Sequence, residues 1–131
     1  MRFPYGFLIA VMLGLSAPAY CAEVRITGTF TNLSYNTEGG DLLGTEFLIV
    51  PRQGDRGGFV AFVQLAEGGG PYSALVPLQV EGSRIEFTVP AHGPYAGLQF
   101  SGVVNTTELV GKWSSGHREV MKRGISYWDT K

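Results

Sequence analysis

His92 and His117 are the two histidines of the chain, and each sits among small and polar residues that read as a turn. A catalytic histidine needs a nucleophile or a carboxylate held against it by the fold. The sequence has no Gly-x-Ser-x-Gly, no His-Glu-x-x-His and no histidines paired at metal-ligand spacing. Gly68-Gly69-Gly70 is not followed by the Lys-Ser/Thr of a phosphate loop, so it reads as a flexible turn. Aromatics give the positive signal: Tyr72, His92, Tyr95, Tyr127 and Trp128 fall in expected loops or the tail rather than at alternating core positions. Such side chains are enriched at binding surfaces. On a bland reading, Tyr72 and Tyr95 plug one end of the fold and the tail packs back on it. The residues therefore assign no catalytic group, no metal ligand and no cofactor. They mark Tyr72, His92, Tyr95 and Trp128 as candidate ligand- or partner-binding positions.

The elements that would position these residues are strands, because no stretch has a helical period. Residues 24–30 alternate, with Val24, Ile26 and Phe30 opposite Arg25, Thr27 and Thr29. Residues 31–43 read as a polar loop carrying Gly39-Gly40-Asp41. Residues 45–51 are apolar on both faces, which predicts a central strand, and residues 59–66 follow as a second apolar strand. Residues 73–81 place Ala74, Val76, Leu78 and Val80 on one face; Pro77 on the other cannot donate to a ladder and marks an edge or an interruption. Further strands are predicted over 84–90, 98–104, 107–113 and 118–123, with Phe87, Phe100 and Trp113 among the inward residues. Seven or eight strands about 8–12 residues apart argue a sandwich or barrel. Short links favour an up-and-down meander, and closure removes exposed edges. The expected fold is all-β: one antiparallel up-and-down meander forming a closed or nearly closed barrel of 7–8 strands, filled rather than hollow because its inward groups are large.

Composition sets the compartment. The sequence is 44% hydrophobic and 16% charged, which suits a packed core, and its 19 glycines and 7 prolines suit many turns. A formal net charge of −1 gives no general pull toward nucleic acid or an anionic membrane. Met1-Arg2 followed by the apolar run FLIAVMLGL and Ala17-x-Ala19 reads as an export signal. The run is too short to cross a bilayer, which takes about 20 apolar residues. Lipidation of Cys21 is the rival, but Tyr20 is bulky where a lipobox wants a small residue. We therefore divide the chain into a signal peptide over 1–22 and a β-barrel domain over 23–131, with export to the periplasm or the extracellular space. The mature domain has no cysteine, so its stability must come from the core.

Four segments carry a family resemblance: Phe87-Thr88-Val89, Phe100-Ser101-Gly102-Val103-Val104, Leu109-Val110-Gly111-Lys112-Trp113 and Ser114-Ser115-Gly116. With the strands at 59–66 and 74–80 in the same order, the pattern resembles a small exported calycin-like β-meander barrel module found alone or beside secreted bacterial hydrolases. The resemblance implies a lipocalin-like barrel shape and a non-catalytic role. Lipocalins carry Gly-x-Trp on the first strand, whereas here that strand reads Gly28-Thr29-Phe30 and Gly111-Lys112-Trp113 comes near the end.

The sequence thus leads to an exported, non-catalytic binding module that contacts a protein partner through barrel-rim loops. The alternative is a lipocalin-like carrier of a small apolar ligand, which a lumen above about 300 Å³ would favour. No nucleic acid partner, no stable membrane insertion and a monomeric state are expected.

Overall fold

Period-two alternation shapes nearly every element. In the computed structural model of the protein, which describes residues 22–54 and 57–130, nine strands form one antiparallel sheet. They are β1 (Gly28–Thr31), β2 (Ser34–Asn36), β3 (Asp41–Pro51), β4 (Phe59–Glu67), β5 (Tyr72–Glu81), β6 (Arg84–Thr88), β7 (Gln99–Val104), β8 (Glu108–Trp113) and β9 (Arg118–Gly124). A 3-10 turn, Tyr127–Thr130, follows. Residues 1–21 of the expected signal peptide, with Cys21, lie outside the described residues, as do Asp55 and Arg56.

From β3 to β9 each strand pairs with the next, β9 pairs with β1, and β1 pairs with β3. This closes an up-and-down barrel of eight strands, with β2 as an added ninth. The expected all-β meander and its closure are what the chain forms. β1 and β2 run in one register along β3, from Thr31 opposite Glu46 to Ser34 opposite Leu43. Asn32 interrupts them: its amide donates to the Thr45 carbonyl, but the Thr45 N–H goes to the Asn32 side-chain Oδ1 at 2.6 Å. The carbonyl of Asn32 leaves no room for a side chain on Gly44, whose φ is 108°.

Two expected boundaries change. Residues 24–27 are not a strand, although Ile26 is buried and Val24 packs on the core. There the Arg123 guanidinium, bonded to the carbonyls of Arg25 and Thr27, takes the place of a neighbouring strand. Residues 31–43 are not simply a loop: they fold into the β2–β3 hairpin, where Asn36 is paired with Asp41. The interruption expected at Pro77 appears on its β6 side, where pairing is confined to residues 79–81 of β5.

Inside, Phe47, Phe87, Phe100 and Trp113 form an aromatic cluster, drawn from β3 and from the ends of β6, β7 and β8, above the fully buried Phe30, Ile49, Ile85, Leu109 and Met121. Phe47 meets the other three edge-on at 5.1–6.2 Å between ring centroids, and Phe87 stacks on Phe100 at 5.4 Å. The barrel waist is therefore solid. β3 is apolar on both faces, as its sequence reads, but only Phe47 and Ile49 face this core; Leu48 and Val50 are exposed on the outer wall.

The tail packs against that outer wall. Glu46 accepts from Ser126 Oγ at 2.6 Å and from the Tyr127 amide at 2.8 Å. Tyr127 covers a small outer cluster of Leu33, Leu42 and Ala66. These contacts account for a buried carboxylate on the outward side of a strand.

Candidate functional site

Up-and-down order gathers alternate connections at each end of the barrel. One mouth collects the β2–β3 hairpin, the β4–β5 turn, the long β6–β7 loop over residues 89–98 and the β8–β9 turn over 114–117. Inward-facing positions at this mouth are Thr45 on β3, Leu65 and Glu67 on β4, Trp113 on β8 and Glu119 on β9. They surround a cavity of about 470 Å³ above the aromatic waist, with Tyr95 and Leu98 of the long loop and His117 of the β8–β9 turn completing its wall.

Glu119 is the unusual group. It lies on the inward parity of β9 and is only 7% exposed. Its Oε2 accepts from Asn32 Nδ2 at 2.6 Å, and its Oε1 accepts from Thr45 Oγ1 at 2.9 Å and from Trp113 Nε1 at 3.4 Å. Those three donors are neutral. His117 brings Nε2 to 3.5 Å from Oε1 with its own side chain 69% exposed. A buried charge is tolerable only when hydrogen-bonded or paired, and here the hydrogen bonds come from three separate strand regions.

At the rim opposite, the Tyr95 hydroxyl faces Glu67. Burial, then the Glu67 charge, then a hydrogen bond to that carboxylate together raise the Tyr95 pKa above its ordinary value. Tyr95 and Tyr72 meet with ring centroids 5.4 Å apart. Tyr72 Oη donates to the His92 carbonyl at 3.1 Å, which ties the long loop across the mouth. Gly93 lets the loop pass, since a Cβ there would sit 2.8 Å from the Tyr72 ring and its φ is 91°.

Tyr72, His92 and Tyr95 are thus brought together, and at the mouth that holds the cavity. Tyr72 is a strand residue, the first of β5, rather than a loop residue; its ring packs against the core. Trp128 is not with them: it lies on the outer wall, 46% exposed, and donates from Nε1 to Gln64 Oε1 at 2.7 Å. Sequence reasoning missed Glu119, Glu67, Thr45 and Asn32; His117 is the exposed turn residue its sequence suggests, and it also borders the cavity. One signal was present: in the run Glu119, Val120, Met121, the acidic residue shares parity with Met121, so whichever way Met121 faces, Glu119 faces too.

A second concavity, about 850 Å³, opens where β5 and β6 part, lined by outward residues such as Pro77, Gln79, Glu86 and Lys112 and also by the core side chains Leu78, Phe87, Phe100 and Trp113. It gathers no set of buried titratable groups, so the mouth is the better candidate although its cavity is smaller. Among the described residues no three of His, Cys, Asp and Glu gather as a metal set, and no helix is long and apolar enough to cross a membrane. Comparison with protein-family models, with curated proteins and with solved structures gave no match.

Proposed function

We propose that the protein is an exported, non-catalytic binding module that engages a protein partner through the mouth formed by the β2–β3 hairpin, the β4–β5 turn, the 89–98 loop and the β8–β9 turn. The observation that carries this reading is the Tyr72–Tyr95 ring pair, with the His92 carbonyl held by Tyr72, beside a cavity that Tyr95 lines at one mouth of a filled barrel. Aromatic side chains beside a pocket are the usual anchors of an interface. The non-catalytic part of the reading rests on the sequence, which offers no nucleophile–base pair and no metal-ligand motif. It also agrees with what the calycin-like resemblance implies.

Affinity capture from the native exported fraction tests the proposal, with wild type compared against His92→Ala and Tyr95→Ala. A specific partner that is captured by wild type and lost with the mouth variants is the expected result. Equal capture by all three, or no specific capture, would overturn it.

The alternative carrier reading draws on the same cavity, which exceeds the roughly 300 Å³ at which ligand pockets begin. It is favoured if a small apolar molecule copurifies with the chain and is displaced by a bulky substitution at Leu98.

A further inference from the structure

The mouth cavity has a chemical bias. Its walls are apolar and aromatic at Leu65, Leu98, Tyr95 and Trp113, and its ionisable groups besides Tyr95 are Glu67, Glu119 and His117. No Lys or Arg lines it among the described residues. Thr45, Asn32 and Trp113 satisfy the geometry of the Glu119 carboxylate without supplying a positive charge. Of the lining residues only His117 could offset that charge, and it stands 3.5 Å from Oε1 with its side chain 69% exposed. A cation entering beside Glu119 would gain the carboxylate.

Resting on the reading of this mouth as the binding surface, we infer that the cavity takes a cationic group on an apolar stem: an alkylammonium, presented either by a lysine side chain of the partner or by a free amine. The apolar walls fit the methylene stem, Glu119 on the inward side of β9 meets the charged head, and Glu67 of β4 adds negative potential at the rim. A cavity of about 470 Å³ accommodates a chain of several carbons. An alkyl carboxylate of the same length is excluded by both glutamates, and an alkyl alcohol fills the space without compensating the charge.

The test is a titration of the 15N-labelled chain with n-hexylamine, n-hexanol and hexanoate near pH 8, where the amine is protonated and the hexanoate ionised. The Trp113 indole N–H signal is the reporter, since it points at Glu119. Hexylammonium should shift it saturably and bind about tenfold or more tightly than hexanol, with no effect from hexanoate. Glu119→Gln should remove most of that preference. If Glu119→Gln does not fold, Glu67→Gln at the exposed rim should weaken hexylammonium and leave hexanol unchanged. Equal affinity for amine and alcohol, or an unmoved indole, would overturn the inference. Nα-acetyl-lysine amide separates the sources: binding comparable to hexylammonium supports a presented lysine, and binding of hexylammonium alone supports a free amine. The two readings fail separately. A partner captured equally by wild type and Glu119→Gln, with an unmoved indole, removes the cation and keeps the mouth as an interface. Amine binding with partner capture unaffected by mouth variants removes the interface and keeps the cation site.

Discussion

Asn32 and Glu119 lie 87 residues apart in sequence and share a 2.6 Å hydrogen bond. The same Asn32 side chain accepts from the Thr45 amide at 2.6 Å and donates to the Val120 carbonyl at 3.2 Å. One side chain therefore bridges β3 and β9 at the place where β1 gives way to β2, and it holds the carboxylate of the proposed site. Asn32→Ala should cost about 2–4 kcal/mol in denaturant unfolding, because it leaves a buried amide and a buried carboxylate oxygen short of a partner. The two sites are in contact, so Asn32→Ala combined with Glu119→Gln should cost less than the sum of the single changes. Additive losses would show that the bond is not part of what stabilises the mouth.

Gly102 and Gly111 face each other across β7 and β8, both beneath the ring of Phe100. A Cβ on Gly111 would collide with Phe100 Cζ and lie 2.7 Å from the Ser101 carbonyl. At Gly102 the closest approach is 2.8 Å. Neither glycine has a positive φ, so the constraint is space rather than backbone conformation. Gly111→Ala should lose about 2–3 kcal/mol and more than Gly102→Ala, since the ring and the backbone must both give way. Gly111→Ala paired with Phe100→Leu should recover part of the loss. Thermal unfolding of the four chains checks the order.

Alternation made the barrel legible. Phe87, Phe100 and Trp113 are inward where their parity placed them, and the short links fixed the meander. The site was less legible because hydrogen-bonded burial of a polar side chain is decided by partners distant in sequence. Glu119 has an inward parity that can be read from its neighbours, but its bonds to Asn32 and Thr45 depend on barrel closure. Trp128 shows the other side of this: its place in the tail says nothing of its position on the outer wall, where it is bonded to Gln64 by a tail whose buried anchor is Glu46. Residues 24–27 misled because alternating side chains describe which way residues point and not what their backbone bonds to. Arg123, not a strand, takes their carbonyls.

The tail should act as a strap. Ending the chain at Gly124 removes Ser126 Oγ and the Tyr127 amide from Glu46 and uncovers Leu33, Leu42 and Ala66. The truncated chain should lose about 2–4 kcal/mol, combining an unsatisfied buried carboxylate with exposed apolar surface. Glu46→Leu should harm the truncated chain less than the full one, because only the full chain has donors to strand. Equal cost in both backgrounds, measured by urea unfolding, would separate Glu46 from the tail.

Tyr95 gives a pH dependence with a defined direction. Burial chiefly, and Glu67 in addition, hold its folded pKa above the ordinary tyrosine value of 10.0. The folded state thus keeps the phenolic proton longer than the unfolded state does. The contribution is fully present below pH 10, and it is lost as pH rises from there through the folded pKa. Tyr95→Phe has no proton to lose, so its stability should fall less than that of wild type over this window. Glu67→Gln removes one charge facing the hydroxyl and should bring the folded pKa partway down, narrowing the window without closing it because burial remains. Urea unfolding of the three chains at a series of alkaline pH values measures the difference. Parallel curves for wild type and Tyr95→Phe would show that the hydroxyl titrates at the mouth as it does in the unfolded chain, free of both burial and Glu67.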